Sequence, residues 1–147
     1  MEGMIEGLRV RELPTRLHYR GYTVELFEAD HAPAPLCARV HHLFPGCVEA
    51  WWCRESVPER VYCLRGMIKL VACDRREGSR TRDQVVEIYL GEYRFREVEV
   101  PPGVLLGWKA VGHEPALVLR CTGSGEEGRR LSAEEAAVPY DWDIVMR

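Results

Sequence analysis

The chain has 147 residues, 46% hydrophobic and 29% charged, enough for one independently folding domain of ordinary soluble composition. Its net charge of -3 at pH 7 gives no global pull toward nucleic acid or an anionic membrane, so neither is expected as a partner. No apolar run reaches bilayer length, and the acidic start Met1–Gly7 lacks the pattern of a signal peptide, so a cytoplasmic setting is expected.

Residues 1–20 mix charges with apolar residues and give no clear element. From Gly21 to Phe27 apolar and polar residues alternate, which predicts a strand. Prolines make 29–35 a loop. Strands are then predicted over 36–44, 48–54 and 60–64, and Met67–Cys73 is expected to pair with the last of these across the tight Arg65-Gly66 turn. A polar loop follows over 74–83, with further strands over 84–90, 95–100, 104–111 and 116–122. Short strands separated by turn signals at roughly 8–12 residues describe an antiparallel sandwich or barrel. Near the end, Ser132 followed by Glu135 is the signature of a short helix with a capping box, and Pro139–Trp142 reads as an aromatic anchor. The six cysteines contain no C-x-x-C pair and are expected to pack as buried thiols in strands.

The most informative stretch runs from Gly46 to Gly66, in the frame G-x5-h-x-h-x4-E-x6-G, with Trp52 and Arg54 at the two h positions and Glu59 as the acid. A second motif is Pro101-Pro-Gly103-Val-Leu-Leu106-Gly-Trp108. Together they resemble the two motifs of the cupin superfamily, whose frame implies an all-β, small antiparallel jelly-roll barrel, here with its core at about 21–122 and a short irregular or helical C-terminal segment. In that frame histidines at 52, 54 and 106 and the acid at 59 would form a metal site. Trp52, Arg54 and Leu106 offer no lone pair to a metal, so no metal and no cofactor are expected.

Within the superfamily, the ordered run Pro45-Gly46, Ala50-Trp51, Gly66–Lys69, Asp74–Ser79, Gly91-Glu92, Pro101–Val104, Gly107–Lys109, Glu114–Leu119 and Pro139–Trp142 resembles proteins related to dTDP-4-dehydrorhamnose 3,5-epimerase. The resemblance implies a homodimer and metal-free epimerisation of a nucleotide-linked 4-keto sugar. That chemistry removes a proton beside a carbonyl, with a histidine base and a tyrosine acid on opposite faces. By position the base becomes Trp52, a second histidine becomes Leu106, and the tyrosine region reads Gly123-Ser-Gly125. The expected ligand is therefore a nucleotide-sugar or similar small molecule, bound without the usual acid–base pair.

The candidate ligand-binding residues are Trp52, Arg54, Glu59, Lys69, Trp108 and Arg120. Trp52 either fills the vacated site or forms a platform for a ring. Arg54, if it faces inward, must pair with Glu59 or meet an anionic ligand, because an unpaired buried cation is costly. An active isomerase remains an alternative, with Glu59 or Asp74 as base and Tyr62 or Tyr93 as acid. A plugged-barrel interaction protein is another. His41 and His42 point to opposite faces of a strand, and with His18, His31 and His113 are expected to be surface or locally bonded residues.

Overall fold

Alternation of apolar and polar residues along short segments produces twelve strands and one helical turn in the computed structural model, which describes residues 5–27, 37–123 and 128–143. The strands are β1 (Arg9–Glu12), β2 (Thr15–His18), β3 (Gly21–Val24), β4 (Cys37–Leu43), β5 (Val48–Cys53), β6 (Glu59–Arg65), β7 (Met67–Asp74), β8 (Val85–Gly91), β9 (Arg96–Val100), β10 (Val104–Val111), β11 (Ala116–Thr122) and β12 (Arg129–Arg130). A helix, α1 (Ala133–Ala136), follows. One antiparallel sheet has the order β1-β9-β6-β11-β4, and the other β12-β5-β10-β7-β8. The two sheets are not closed into a barrel: the fold is an all-β jelly roll built as a two-sheet sandwich.

Three expectations need correction. β6 and β7 do not pair across Arg65-Gly66; β6 lies between β9 and β11, and β7 between β10 and β8, so the turn carries the chain from one sheet to the other. Gly66 has φ +70, and a Cβ there would lie 2.4 Å from the Pro115 carbonyl oxygen, so the crossing requires glycine. The strand beginning at Gly21 joins neither main sheet but forms a separate hairpin with β2. The residues before it are not featureless: β1 edges the first sheet through Arg9 opposite Glu99 and Glu12 opposite Arg96, a charge complementarity that hydrophobic periodicity does not register.

The main core lies between the sheets. It takes Val61, Cys63, Val98, Val100, Ala116 and Val118 from one, and Trp52, Ile68, Leu70, Ala72, Val86, Ile88, Leu90, Leu106, Trp108 and Ala110 from the other. A second cluster covers the outer face of the β5-β10-β7-β8 sheet, where Trp51, Val71, Cys73 and Leu105 meet Ala136, Tyr140 and Trp142. A third covers the outer face of the other sheet around Leu13, Tyr62 and Cys121. α1 carries the anticipated capping box, with Ser132 and Glu135 bonded reciprocally. All six cysteines are free thiols. Burial pushes the Cys63 thiol up to about 12, and burial likewise raises Cys53, Cys73 and Cys121. Cys47 departs from the expectation and is exposed in the turn before β5.

Candidate functional site

Side chains alternate across each strand, so the inner face of every strand is fixed by any one core residue on it. On β6, Val61 and Cys63 are inner, and so Glu59 is too; on β11, Val118 is inner and so is Arg120. Glu59 is 1% exposed and accepts hydrogen bonds from Arg54 Nε, from Arg120 Nε and, at 2.9 Å, from Arg120 Nη2. Arg54 and Arg120 are themselves buried. Two guanidiniums thus share one carboxylate between the sheets. A buried ion of this kind persists only because its partners and hydrogen bonds offset desolvation. Thr122, also inner and buried, donates to the Pro58 carbonyl at 3.2 Å and holds the entry of β6.

Aromatic rings wall this cluster. The Arg120 guanidinium carbon lies 4.5 Å from the Trp52 ring centroid and 5.3 Å from that of Trp108, a cation–π arrangement on both. Trp52 therefore fills core volume and also presents a face to a cation. Its Nε1 donates to Glu49 Oε1 at 3.3 Å, and Arg130, opposite Trp52 on β12, pairs with the same oxygen at 3.4 Å. The Trp108 indole is fully buried, and its Nε1 makes no hydrogen bond among the described residues.

His41 belongs to this site, contrary to its sequence reading. It projects inward from β4, with its ring centroid 5.5 Å from Trp108 and 6.5 Å from Trp52, and its Nε2 lies 3.4 Å from Arg120 Nη1. Arg39 sits directly opposite Arg120 and shares that face. His42 points outward against Phe44, as the alternation requires. His31 and Gly125 lie outside the described residues.

Other candidates are placed elsewhere. Lys69 is on the outer face of β7, with its Nζ 3.3 Å from the Trp142 carbonyl oxygen, 3.7 Å from Glu87 Oε2 and 5.1 Å from the Tyr140 ring centroid. Asp74 is fully buried, but its carboxylate is committed to its own loop: Arg76 binds it bidentately at 2.9 and 3.0 Å, and Ser79 and Thr81 each donate at 2.6 Å. Burial alone would raise this carboxyl, yet those hydrogen bonds outweigh burial and hold it well below the usual carboxylate range. An acid so ionised and so fully bonded is a poor proton acceptor. Tyr62 faces away from Glu59, donates to Glu97 and is pushed far upward by burial and by that bond. Tyr93 is 92% exposed beside a cleft of about 590 Å³ lined by Gly66, Met67, Gly112 and His113, at the far end of β6 from Glu59.

Among the described residues, no three His, Cys, Asp or Glu side chains converge as a metal site requires. No helix there is long and apolar enough to cross a membrane. Two facing antiparallel sheets enclosing a polar, aromatic-walled cluster define a jelly roll of the cupin type. The family profile described as dTDP-4-dehydrorhamnose 3,5-epimerase matches residues 55–147, and the chain belongs to that family.

Its relatives include the "Probable low-salt glycan biosynthesis epimerase Agl13" of Haloferax volcanii, 28% identical over 141 residues, spanning 93% of this chain and 89% of that one. The crystal structure of a dTDP sugar isomerase from Desulfovibrio desulfuricans G20 superposes with a TM-score of 0.83 at 25% identity, covering 95% of this chain and 92% of the other. The epimerase RmlC of Legionella pneumophila, solved with dTDP-4-keto-L-rhamnose, superposes with a TM-score of 0.81 at 19% identity over 99% of this chain and 83% of the other, a likeness of fold.

Proposed function

We propose that the chain binds a dTDP-linked sugar or similar nucleotide-sugar between its two sheets, at the Glu59 end, without the histidine at position 52 that the epimerase frame expects. The observation that carries this reading is the grouping of Arg54, Arg120, Arg39 and Arg130 around Glu59 and Glu49, with Trp52 and Trp108 as walls. Guanidiniums match phosphate oxygens in geometry and charge, and indole faces accept the flat side of a base or sugar. The Legionella relative in the same fold holds a dTDP-sugar, which supports the substrate class. Trp52 and Leu106 stand where the frame expects imidazoles, so proton transfer, if the chain performs it, falls to other groups.

Calorimetric titration with dTDP-4-keto-L-rhamnose, with dTDP and with free L-rhamnose tests the reading. Binding of the first two, weakened by salt, is expected, with no binding of the free sugar. Failure of either dTDP compound to bind overturns it. The same proposal includes a homodimer, which Val40 (61% exposed) and Phe44 (67% exposed) favour, lying outward on and beside the edge strand β4. Sedimentation equilibrium tests that part: a twofold mass is expected, and a monomer at micromolar concentration sinks it.

A further inference from the structure

Resting on the proposed binding of a nucleotide-sugar at the Glu59 end, we infer that Trp108 is a specificity-determining residue of that site. Its indole Nε1 donates a hydrogen bond to an oxygen of the sugar. It thereby holds the sugar, and not the nucleotide, against the innermost wall.

Two indoles face the Arg120 guanidinium, one from β5 and one from β10, and they differ in their hydrogen bonding. Trp52 Nε1 donates to Glu49 Oε1 at 3.3 Å. Trp108 Nε1 has no acceptor among the described residues, although the side chain is fully buried. The acceptors around it are engaged. Glu59 takes hydrogen bonds from Arg54 and Arg120, and Glu49 is held by Trp52 and Arg130. An indole N–H donates and cannot accept, so only an acceptor completes it. A phenylalanine fills much of the same volume with no donor to satisfy. Leaving a buried donor unmade is costly, and an oxygen of the ligand removes that cost on binding.

Charge separates the sugar end of the ligand from its phosphate end. The Arg130 side chain is 59% exposed and Arg39 is half-buried, and each stands on an edge strand, β12 in one sheet and β4 in the other. Arg54 and Arg120 are buried and share Glu59. Trp108, the most deeply buried of the group, is 0% exposed and neutral. Cationic charge thus lies outermost, and the innermost donor carries none. A diphosphate is costly to bury away from cations, so it stays with the outer arginines. A sugar is neutral, and its oxygens suit a neutral N–H.

The N–H is closed off from solvent, so the sugar reaches it as an edge strand yields. β4 and β12, each bonded to a single neighbouring strand among the described residues, are placed to do so. The result is selectivity in binding. A nucleotide-sugar carries an oxygen beyond its phosphates and gains this hydrogen bond, whereas the bare nucleotide does not reach it. One such bond corresponds to roughly tenfold in affinity.

The test uses the intact nitrogen-15-labelled chain, whose four tryptophans give four indole N–H signals, with that of Trp108 assigned by triple-resonance NMR. Saturating dTDP-4-keto-L-rhamnose should move the Trp108 N–H proton downfield and slow its exchange with water, and saturating dTDP should change neither. In calorimetry, the ratio of affinity for dTDP-4-keto-L-rhamnose to that for dTDP should fall roughly tenfold in Trp108→Phe, with dTDP affinity kept. A Trp108 signal that stays in place with the sugar nucleotide, or moves equally with both compounds, overturns the inference. So does an unchanged affinity ratio in Trp108→Phe, and so does a signal already typical of a bonded N–H in the free chain, where a buried water supplies the acceptor. Each of these leaves the binding proposal standing. The NMR readings need no variant, and they decide the matter if Trp108→Phe fails to fold. A wild-type chain that does not bind the two compounds removes both proposals.

Discussion

The two faces of the β5-β10-β7-β8 sheet each hold buried cations, and they dispose of them in opposite ways. On the outer face, Lys69 and Lys109, the two lysines of the chain, converge on the Trp142 carbonyl oxygen at 3.3 and 3.2 Å. Tyr140 donates to Glu87, and Trp142 packs 5.3 Å from Trp51, centroid to centroid. The protein's own C-terminal segment covers these charges. Gly107 makes the covering fit: a Cβ there would lie 2.7 Å from the Ala50 Cβ and 3.0 Å from the Trp142 ring. On the inner face the cations are arginines, their carboxylate is shared, and a buried indole N–H has no described acceptor. A closed set of partners describes a strut. The inner set, where the Trp108 indole donor has no described acceptor, is the one to which the proposed ligand is assigned.

That contrast can be broken by mutation. Glu59→Gln should be the most damaging change, because it removes the carboxylate charge that two buried guanidiniums share; a loss of roughly 3–5 kcal/mol is expected in urea unfolding, with altered dTDP affinity. Asp74→Asn should cost about 2 kcal/mol through lost charge-assisted bonds to Arg76. The carboxyl of Asp74 is held below its unfolded value, so its contribution is complete above about pH 4 and fades as pH falls through the folded value. Wild type and Asp74→Asn should therefore differ most at neutral pH and converge in strong acid.

Trp142→Ala should destabilise by about 2 kcal/mol, since the ring is only half-buried, and leave dTDP affinity intact. If it instead weakens binding as Glu59→Gln does, the two faces are not separate in role. Ser132→Ala should have the smallest effect, about 1 kcal/mol at most, read as a slightly lower thermal midpoint with unchanged ligand binding.

Much of the inner face could be read from alternation alone. Trp52, Arg54, Leu106, Trp108 and Arg120 fall on the inward side once each strand has one core residue, and the pairing of Arg54 with Glu59 follows from the cost of burying either alone. Lys69 entered through the Gly66–Lys69 resemblance and not through its strand; alternation with the core residues Ile68 and Leu70 puts it on the outer face of β7. Asp74 could be seen as an acid opening a polar loop, but the bonds that consume it come from side chains five and seven residues further on. His41 was hidden by an inverted pattern. On β4 the side chains that face the partner sheet include Arg39 and His41, and an apolar residue that faces solvent is Val40. Hydrophobic periodicity assigns those faces the wrong way round, because it presumes that the inside is dry and the outside wet.

That inverted strand has a thermodynamic consequence. Among the described residues β4 is an edge strand hydrogen-bonded to β11 alone, so its position is less constrained than that of a central strand. His41 and Val40 are consecutive on it and face opposite ways. Whatever covers Val40 and Phe44 and shifts β4 must also shift His41 against Arg120 and the two indoles. If the proposed second copy and the proposed nucleotide both bind, affinity on one side of the strand and occupancy on the other would be linked functions, and the factor by which one strengthens the other would be the same in both directions.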